Sequence, residues 1–312
     1  MPEKPVCLLT GATGFLGKYI LSELSLNFKV FTLGRSKPAL GIHIDADLKN
    51  DNLKLPNSFD FVVHCAGKAH VVPMTEAEIR EFHDVNVNGT RALLAALSKQ
   101  EELPRAFIFI SSVSVYGLNF GTDLPETTPL SANDPYGKSK VDAEKLVTEW
   151  GSQNGVRIGI LRLPLLVGKN PPGNLGKMID AMRRGFYFRI GKGGARKSMV
   201  LAEDVAEIIP KVFEIGGTFN LTDGFHPSFK ELEEAISAHL KAGKIRVLPY
   251  WFLKTAALIG GIAEKVTGKK MPVNARVLEK ITWSLTFSDK LAQEKLKWSP
   301  RRVLENIDKL TV

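Results

Sequence analysis

The sequence predicts an α/β fold, a doubly wound parallel sheet with a smaller, interleaved C-terminal lobe. Three observations predict it. Short apolar runs alternate with helix-length segments through the first half; the first run opens onto a glycine cluster; and glycine and proline become denser after about residue 163. Strands separated by helices need crossovers, and crossovers bury a parallel sheet on both faces.

Residues 6–10 are the first strand. Residues 29–33, 61–66, 106–110 and 157–163 are further strands, rich in β-branched or aromatic residues. Residues 76–99 and 138–150 are the clearest helical segments between them. Beyond these, glycine and proline cluster at 168–176 and 191–194, which reads as long loops. A strand near 218–221 and a helix over 228–240 follow. The division is residues 1–164 and residues 165–312, with part of the second returning to the sheet. Residues 251–262 are fairly apolar, but Lys254 interrupts them and Glu264 and Lys265 close them. That is too short for a bilayer and reads as an amphipathic helix on the lobe.

Composition narrows the function. The chain has 312 residues, 44% hydrophobic and 24% charged, enough for a large core. Its net charge of +9 could attract nucleic acid, anionic lipid or a phosphorylated small molecule. The basic residues are scattered without a nucleic-acid-binding signature, which favours phosphates on a small substrate and cofactor. Cys7 and Cys65, the only cysteines, lie in apolar runs and read as buried thiols of a reducing compartment. Residues 1–5 carry no signal-peptide pattern, so a cytoplasmic location is expected. No metal-ligand spacing is read.

The first strand runs into Gly11-Ala12-Thr13-Gly14-Phe15-Leu16-Gly17. Gly11 permits a tight turn, Gly14 a close approach to a pyrophosphate, and Gly17 close packing of the next helix. That helix start offers free N–H groups and partial positive charge to phosphates. Gly11, Thr13, Gly14, Phe15, Leu16 and Gly17 are therefore candidate contacts of a dinucleotide on a Rossmann-type sheet. The second strand ends Gly34-Arg35-Ser36 without a carboxylate. An arginine there can pair with a 2′-phosphate, which favours NADP(H) and leaves NAD(H) open. Asp47 and Leu48 follow the next short strand and could flank the adenine. Cys65, Ala66 and Gly67 end the fourth, where small residues let a cofactor pass.

Tyr136 and Lys140 are four apart, on one face of a helix. A neighbouring ammonium and a positive nicotinamide would both lower the phenol pKa, fitting Tyr136 to act as a general acid. Lys140 can also hold the nicotinamide ribose. Ser111-Ser112 follows a buried strand, at the end where α/β sheets bind ligands. A serine hydroxyl there can bond the reacting oxygen.

The chain resembles the extended short-chain dehydrogenase/reductases that act on nucleotide sugars. The likeness rests on Gly11-x-x-Gly14-x-x-Gly17, His64-Cys65-Ala66-Gly67, Asn86-Val87-Asn88-Gly89-Thr90, Ser111-Ser112-Val113-Ser114-Val115-Tyr116-Gly117, Tyr136-x-x-x-Lys140, Leu161-Arg162-Leu163-Pro164, Asp204-Val205-Ala206 and Leu296-Lys297-Trp298-Ser299-Pro300. The resemblance implies Ser112, Tyr136 and Lys140 as the catalytic triad. It also implies a cofactor-binding part over 1–164, a substrate-binding part over 165–312, and a homodimer.

Departures within the family matter. Sugar-nucleotide 4,6-dehydratases carry Asp and Glu directly after the catalytic hydroxyl residue, where this chain has Val113 and Ser114. UDP-galactose 4-epimerases usually carry Asn after the Leu161-Arg162 segment, where this chain has Pro164-Leu165. The segment from His64 to Val71 looks closest to bacterial reductases of UDP-4-keto-6-deoxy-N-acetylhexosamines, which serve surface polysaccharide. By position, Asn174 matches a nucleotide-cradling loop, and Lys197, with Arg196 beside it, matches a diphosphate-binding cation. His70 could contact the sugar or line the pocket. The expected function is NAD(P)-dependent reduction of a sugar 4-ketone. A 4-epimerase is the first alternative; a steroid- or flavonoid-like ketone reductase and a non-catalytic NADP-binding sensor or scaffold are the others.

Overall fold

The computed structural model describes residues 3–50, 52–56, 58–69, 71, 73–249, 251, 255 and 282–310. His70 and nearly all of the helix expected over 251–262 lie outside the described residues.

Seven parallel strands form the main sheet: β1 (Val6–Thr10), β2 (Lys29–Gly34), β3 (Ile42–Asp45), β4 (Phe61–His64), β5 (Ala106–Ser112), β7 (Arg157–Leu163) and β11 (Gly217–Asn220), in the order β11-β7-β5-β4-β1-β2-β3. Strand order reverses on either side of β1, which pairs with β2 and β4, and this reversal opens a crevice at the carboxyl ends. The central strands are buried on both faces, as near-continuous apolar runs require.

Helices α1 (Phe15–Asn27) and α6 (Ala202–Ile215) cover one face; Leu16, Ile20, Leu24, Val205, Ile209 and Phe213 share its core. On the other face lie α2 (Glu76–His83), α3 (Gly89–Leu97) and α4 (Pro135–Asn154), with Leu93, Leu97, Ala143, Val147 and Trp150 in the second core. The remaining described elements include α5 (Gly173–Arg183), α7 (Phe229–His239), α8 (Lys290–Leu296), two 3₁₀ stretches, Val113–Tyr116 and Val303–Leu310, and three two-stranded parallel pairs. The pairs are β8 (Leu165–Val167) with β10 (Met199–Leu201), β9 (Phe188–Ile190) with β12 (Arg246–Leu248), and β6 (Gly121–Leu124) with β13 (Leu285–Phe287). Val167, Ile179, Met199, Leu232, Ile236 and Ile307 form a separate core there.

Several boundaries correct the sequence reading. The segment 76–99 is not one α-helix: a π-helical stretch, Asp84–Asn88, separates α2 from α3. The wider turn brings Asn86 inward, where its Oδ1 accepts Lys68 N at 2.7 Å and its Nδ2 donates to Ser139 Oγ at 2.9 Å. The catalytic-motif helix starts at Pro135, because Asp134 caps it by accepting Gly137 N at 3.0 Å and Pro135 suits the first turn. The long loop expected over 168–176 is short, since α5 begins at Gly173. Strand β4 ends at His64, so Cys65 lies beyond it and is only partly buried, whereas Cys7 is buried.

Candidate active site

The phosphate turn is built by contact. Gly11 has φ +72°, and a Cβ there would meet Ala66 N at 2.6 Å and Cys65 C at 2.8 Å. A Cβ on Gly17 would lie 2.0 Å from Gly11 O. Only hydrogen atoms fit at either place, so β1, α1 and the segment after β4 close on one another. Gly14 caps α1 without a side chain, its N donating to Gly11 O at 2.9 Å, and no acidic residue stands in the first turn. Free N–H groups and an uncompensated positive end suit a pyrophosphate. Thr13 and Gly14 are exposed, Phe15 is partly buried and Leu16 is buried.

The crevice floor is tied together. Thr10 Oγ1 and His64 Nδ1 are 2.6 Å apart, Thr10 Oγ1 accepts Ala66 N at 3.1 Å, and His64 Nε2 lies 3.0 Å from Thr90 Oγ1. Burial, helped by the charge of Lys140, depresses His64 to about 3, so it stays neutral. Gly67 is the next opening: a Cβ on it would reach Asn86 Oδ1 at 3.1 Å and Lys140 Nζ at 3.3 Å.

Ser112, Tyr136 and Lys140 converge beside this turn. Ser112 and the Tyr136 phenol are hydrogen-bonded. Ser112 Oγ also donates to Ser114 Oγ at 3.2 Å and accepts Ser114 N. Lys140 Nζ donates to Ile110 O at 2.8 Å and lies 4.6 Å from the Phe109 ring centroid. The expected lowering of the tyrosine by the lysine is not what the protein alone shows. Burial pushes Tyr136 up to about 12, with Asp134 and Cys65 adding to the rise and the Ser112 hydrogen bond opposing it. Desolvation pulls Lys140 itself down to about 8, against Cys65 and Glu144. The phenol is thus held protonated and able to donate.

The other expected residues stand further apart. Arg35 is exposed just after β2, and Gly34 O accepts Ala46 N at 3.2 Å, so Arg35 and exposed Asp47 flank the same pair of strand ends. Asp47 Oδ1 accepts Lys49 N at 3.0 Å, and Leu48 is buried under Gly89. Asn174 does not lie in a loop: it is exposed on the first turn of α5. The Arg196 guanidinium is already engaged, donating to His226 O at 3.0 Å and lying 3.4 Å from Glu231. Lys197 is half-buried, its N donating to Pro227 O at 3.2 Å.

Glu144 is not among the residues singled out from the sequence, yet it sits beneath this centre. It accepts Ser111 Oγ at 2.5 Å and Arg162 Nη2 at 2.8 Å. An acid one turn after Lys140 on a buried helix face, with an arginine inside an apolar strand, was the available clue.

Residues 7–221 match the model of the NAD dependent epimerase/dehydratase family. The chain belongs to this family. It is 28% identical over 298 residues to the N-acetyl-alpha-D-glucosaminyl-diphospho-ditrans,octacis-undecaprenol 4-epimerase of Escherichia coli, covering 90% of this chain and 86% of that one. It is 26% identical over 317 residues to the UDP-glucose 4-epimerase of Vibrio cholerae, covering 96% and 92%. Its fold matches the crystal structure of UDP-glucose 4-epimerase from Thermotoga maritima with a TM-score of 0.76 at 20% identity, over 97% of this chain and 96% of that one. As a family member, it has the NAD-binding fold of enzymes that work on nucleotide sugars. Residues of two stretches quoted above are anchored to other parts of the chain: Asp204 accepts Arg301 N at 2.8 Å, and Trp298 Nε1 donates to Thr222 O at 2.9 Å. Among the described residues no helix is long and apolar enough to cross a membrane.

Proposed function

We propose that this protein reduces the 4-keto group of a nucleotide-activated sugar, a UDP-4-keto-6-deoxy-N-acetylhexosamine in the leading reading, with NADPH as the donor. The observation that carries the proposal is the Ser112–Tyr136 hydrogen bond at the end of β5, with Lys140 beside Gly67 and the glycine turn. The ketone oxygen takes a hydrogen bond from Ser112. Tyr136, held protonated by burial, gives its proton to the alkoxide as it forms. Lys140 supplies positive charge and a ribose contact. NADPH, when bound, supplies the hydride. Val113 and Ser114 offer no acid–base pair for eliminating water, so dehydration is not proposed.

The cradle around Gly11, Gly14, Gly17 and Gly67 fits a dinucleotide, because a side chain would fill it. Arg35, with no carboxylate beside it on β2, supports NADPH. Arg35→Asp is expected to weaken NADPH binding about tenfold and NADH binding far less, read by titrating the fluorescence of each cofactor. In this reading residues 1–164 bind cofactor and residues 165–312 bind the sugar nucleotide, with Asn174, Arg196 and Lys197 on the nucleotide side.

The second reading, a 4-epimerase, is favoured by the names of the curated relatives. Stoichiometry separates the two. A reductase consumes one NADPH per 4-keto sugar, followed by absorbance. An epimerase interconverts a UDP-hexose, or the polyprenol-linked sugar named for the Escherichia coli relative, with no net cofactor change. Interconversion without NADPH loss would sink the reductase.

A further inference from the structure

One face of α4 meets three consecutive residues of β5. Tyr136 is bonded to Ser112, Lys140 Nζ to Ile110 O at 2.8 Å, and Glu144 to Ser111 Oγ at 2.5 Å. Positions 136, 140 and 144 are one helical turn apart and share a face. The chemistry proposed above uses the first two and not the third. Glu144 is 4% exposed, and burying a carboxylate is costly unless it is fully paired. Here Arg162 supplies the pairing, with Nε at 3.1 Å and 3.3 Å and Nη2 at 2.8 Å. Arg162 sits on β7 in register with Ser111 on β5. Its Nη1 donates to Tyr116 OH and to Glu126 O, both at 3.0 Å, and Tyr116 OH donates to Asn220 Oδ1 at 2.8 Å.

We propose that Glu144 is a positioning residue for this centre: clamped by Arg162 and Ser111, it fixes where α4 lies along β5 and keeps a buried negative charge one turn behind Lys140. The proposal rests on the roles given above to Ser112, Tyr136 and Lys140. The helix must deliver Tyr136 to Ser112 and Lys140 to Ile110 O together. A slide of one residue, about 1.5 Å, breaks both contacts. The bond from Glu144 to Ser111 opposes that slide at the residue next to Ser112.

The charge matters as well. The groups acting on Lys140 are Cys65 and neutral His64 from the end of β4, the Phe109 ring and Ile110 O from β5, and Glu144 from its own helix. Burial pushes Cys65 up to about 11, so it is an uncharged thiol at neutral pH. Glu144, held in its ion pair with Arg162, is the carboxylate in that set, and it favours the Lys140 ammonium against desolvation.

The test reads Lys140 directly. Ligand-free protein carrying ¹³Cε-lysine is titrated by NMR, with the Lys140 signal assigned by its absence in Lys140→Met. Glu144→Gln is expected to lower the Lys140 midpoint by about one unit. The alkaline limb of kcat/KM should move down with it, while KM for NADPH stays within about twofold. Glu144→Gln leaves Arg162 buried without its partner, which can prevent folding. The double variant Glu144→Gln, Arg162→Gln strands no charge; it removes a cation together with the anion, so its Lys140 midpoint is expected to fall by less than in Glu144→Gln. Ser111→Ala tests the positional part: the midpoint should hold while kcat falls about tenfold, with Ser111→Thr restoring most of it. An unchanged Lys140 midpoint in the folded glutamine variants overturns the electrostatic part, and an unchanged kcat in Ser111→Ala overturns the positional part. If wild-type protein turns over no sugar, the functional reading fails, and the lysine titration still decides the role of Glu144.

Discussion

At the carboxyl ends of β1, β4 and β5, the candidate residues are locked to the sheet. Lys140 and Glu144 are 5% and 4% exposed and bonded to adjacent residues of one strand. On the side proposed for substrate, Asn174 is exposed on a helix start, and Arg196 is held by the surface partner Glu231. The first region sits on strands whose register is set by long parallel pairing, such as the seven residue pairs joining β5 and β7. The second sits among three-residue strands and surface ion pairs, which are worth little individually. In the proposed reaction, rigid strand ends would pre-organise proton and hydride transfer, and a loosely held rim would let substrate change without disturbing it.

Substitutions should divide along the same line. The largest effect belongs to the buried centre: Tyr136→Phe is expected to lower kcat by about 10²–10⁴-fold while NADPH binding stays within about threefold, measured by steady-state rates and cofactor titration. Turnover close to wild type would erase the contrast between the regions. Next is Gly17→Ala, whose Cβ would strike Gly11 O. Overpacking of about 1–3 kcal/mol is expected, visible as a lower Tm and at least about tenfold weaker NADPH binding.

The third effect is a pH limb. Lys140 is depressed to about 8, so its ammonium is present below that pH and lost above it. The kcat/KM of the free enzyme should fall about tenfold per pH unit above about pH 8, and a flat profile to pH 10 would remove Lys140 from the chemistry. The smallest effect is expected on the rim. Arg196→Ala should raise the sugar-nucleotide KM by less than about threefold, because its guanidinium is already paired. A loss above about thirtyfold would show that the rim is organised as tightly as the centre.

Stability carries its own pH signature in the locked region. His64 is depressed from 6.5 to about 3, so the unfolded chain takes up its proton first as pH falls. Its contribution is fully present above about pH 6.5 and is lost between there and pH 3, at about 1.4 kcal/mol per unit. Acid unfolding is therefore coupled to the Thr10–His64–Thr90 chain beneath the crevice.

The sequence alone determined the strand–helix alternation, the glycine turn and the Tyr136–Lys140 spacing. These are local patterns: periodicity, three glycines at fixed offsets, and two side chains one turn apart. It left illegible whatever depends on residues far apart in the chain. Nothing local says that a π-helical stretch turns Asn86 toward Ser139, or that Arg196 is taken by Glu231. The tyrosine shows the reason most clearly. Its neighbour Lys140 suggested a lowered pKa, but burial, a property of the packed chain, raised it. Glu144 likewise reads as one more helix carboxylate until β5 and β7 bring Ser111 and Arg162 to it. Spacing fixes which groups are near one another along the chain; only packing decides their solvent, their partners and therefore their charge.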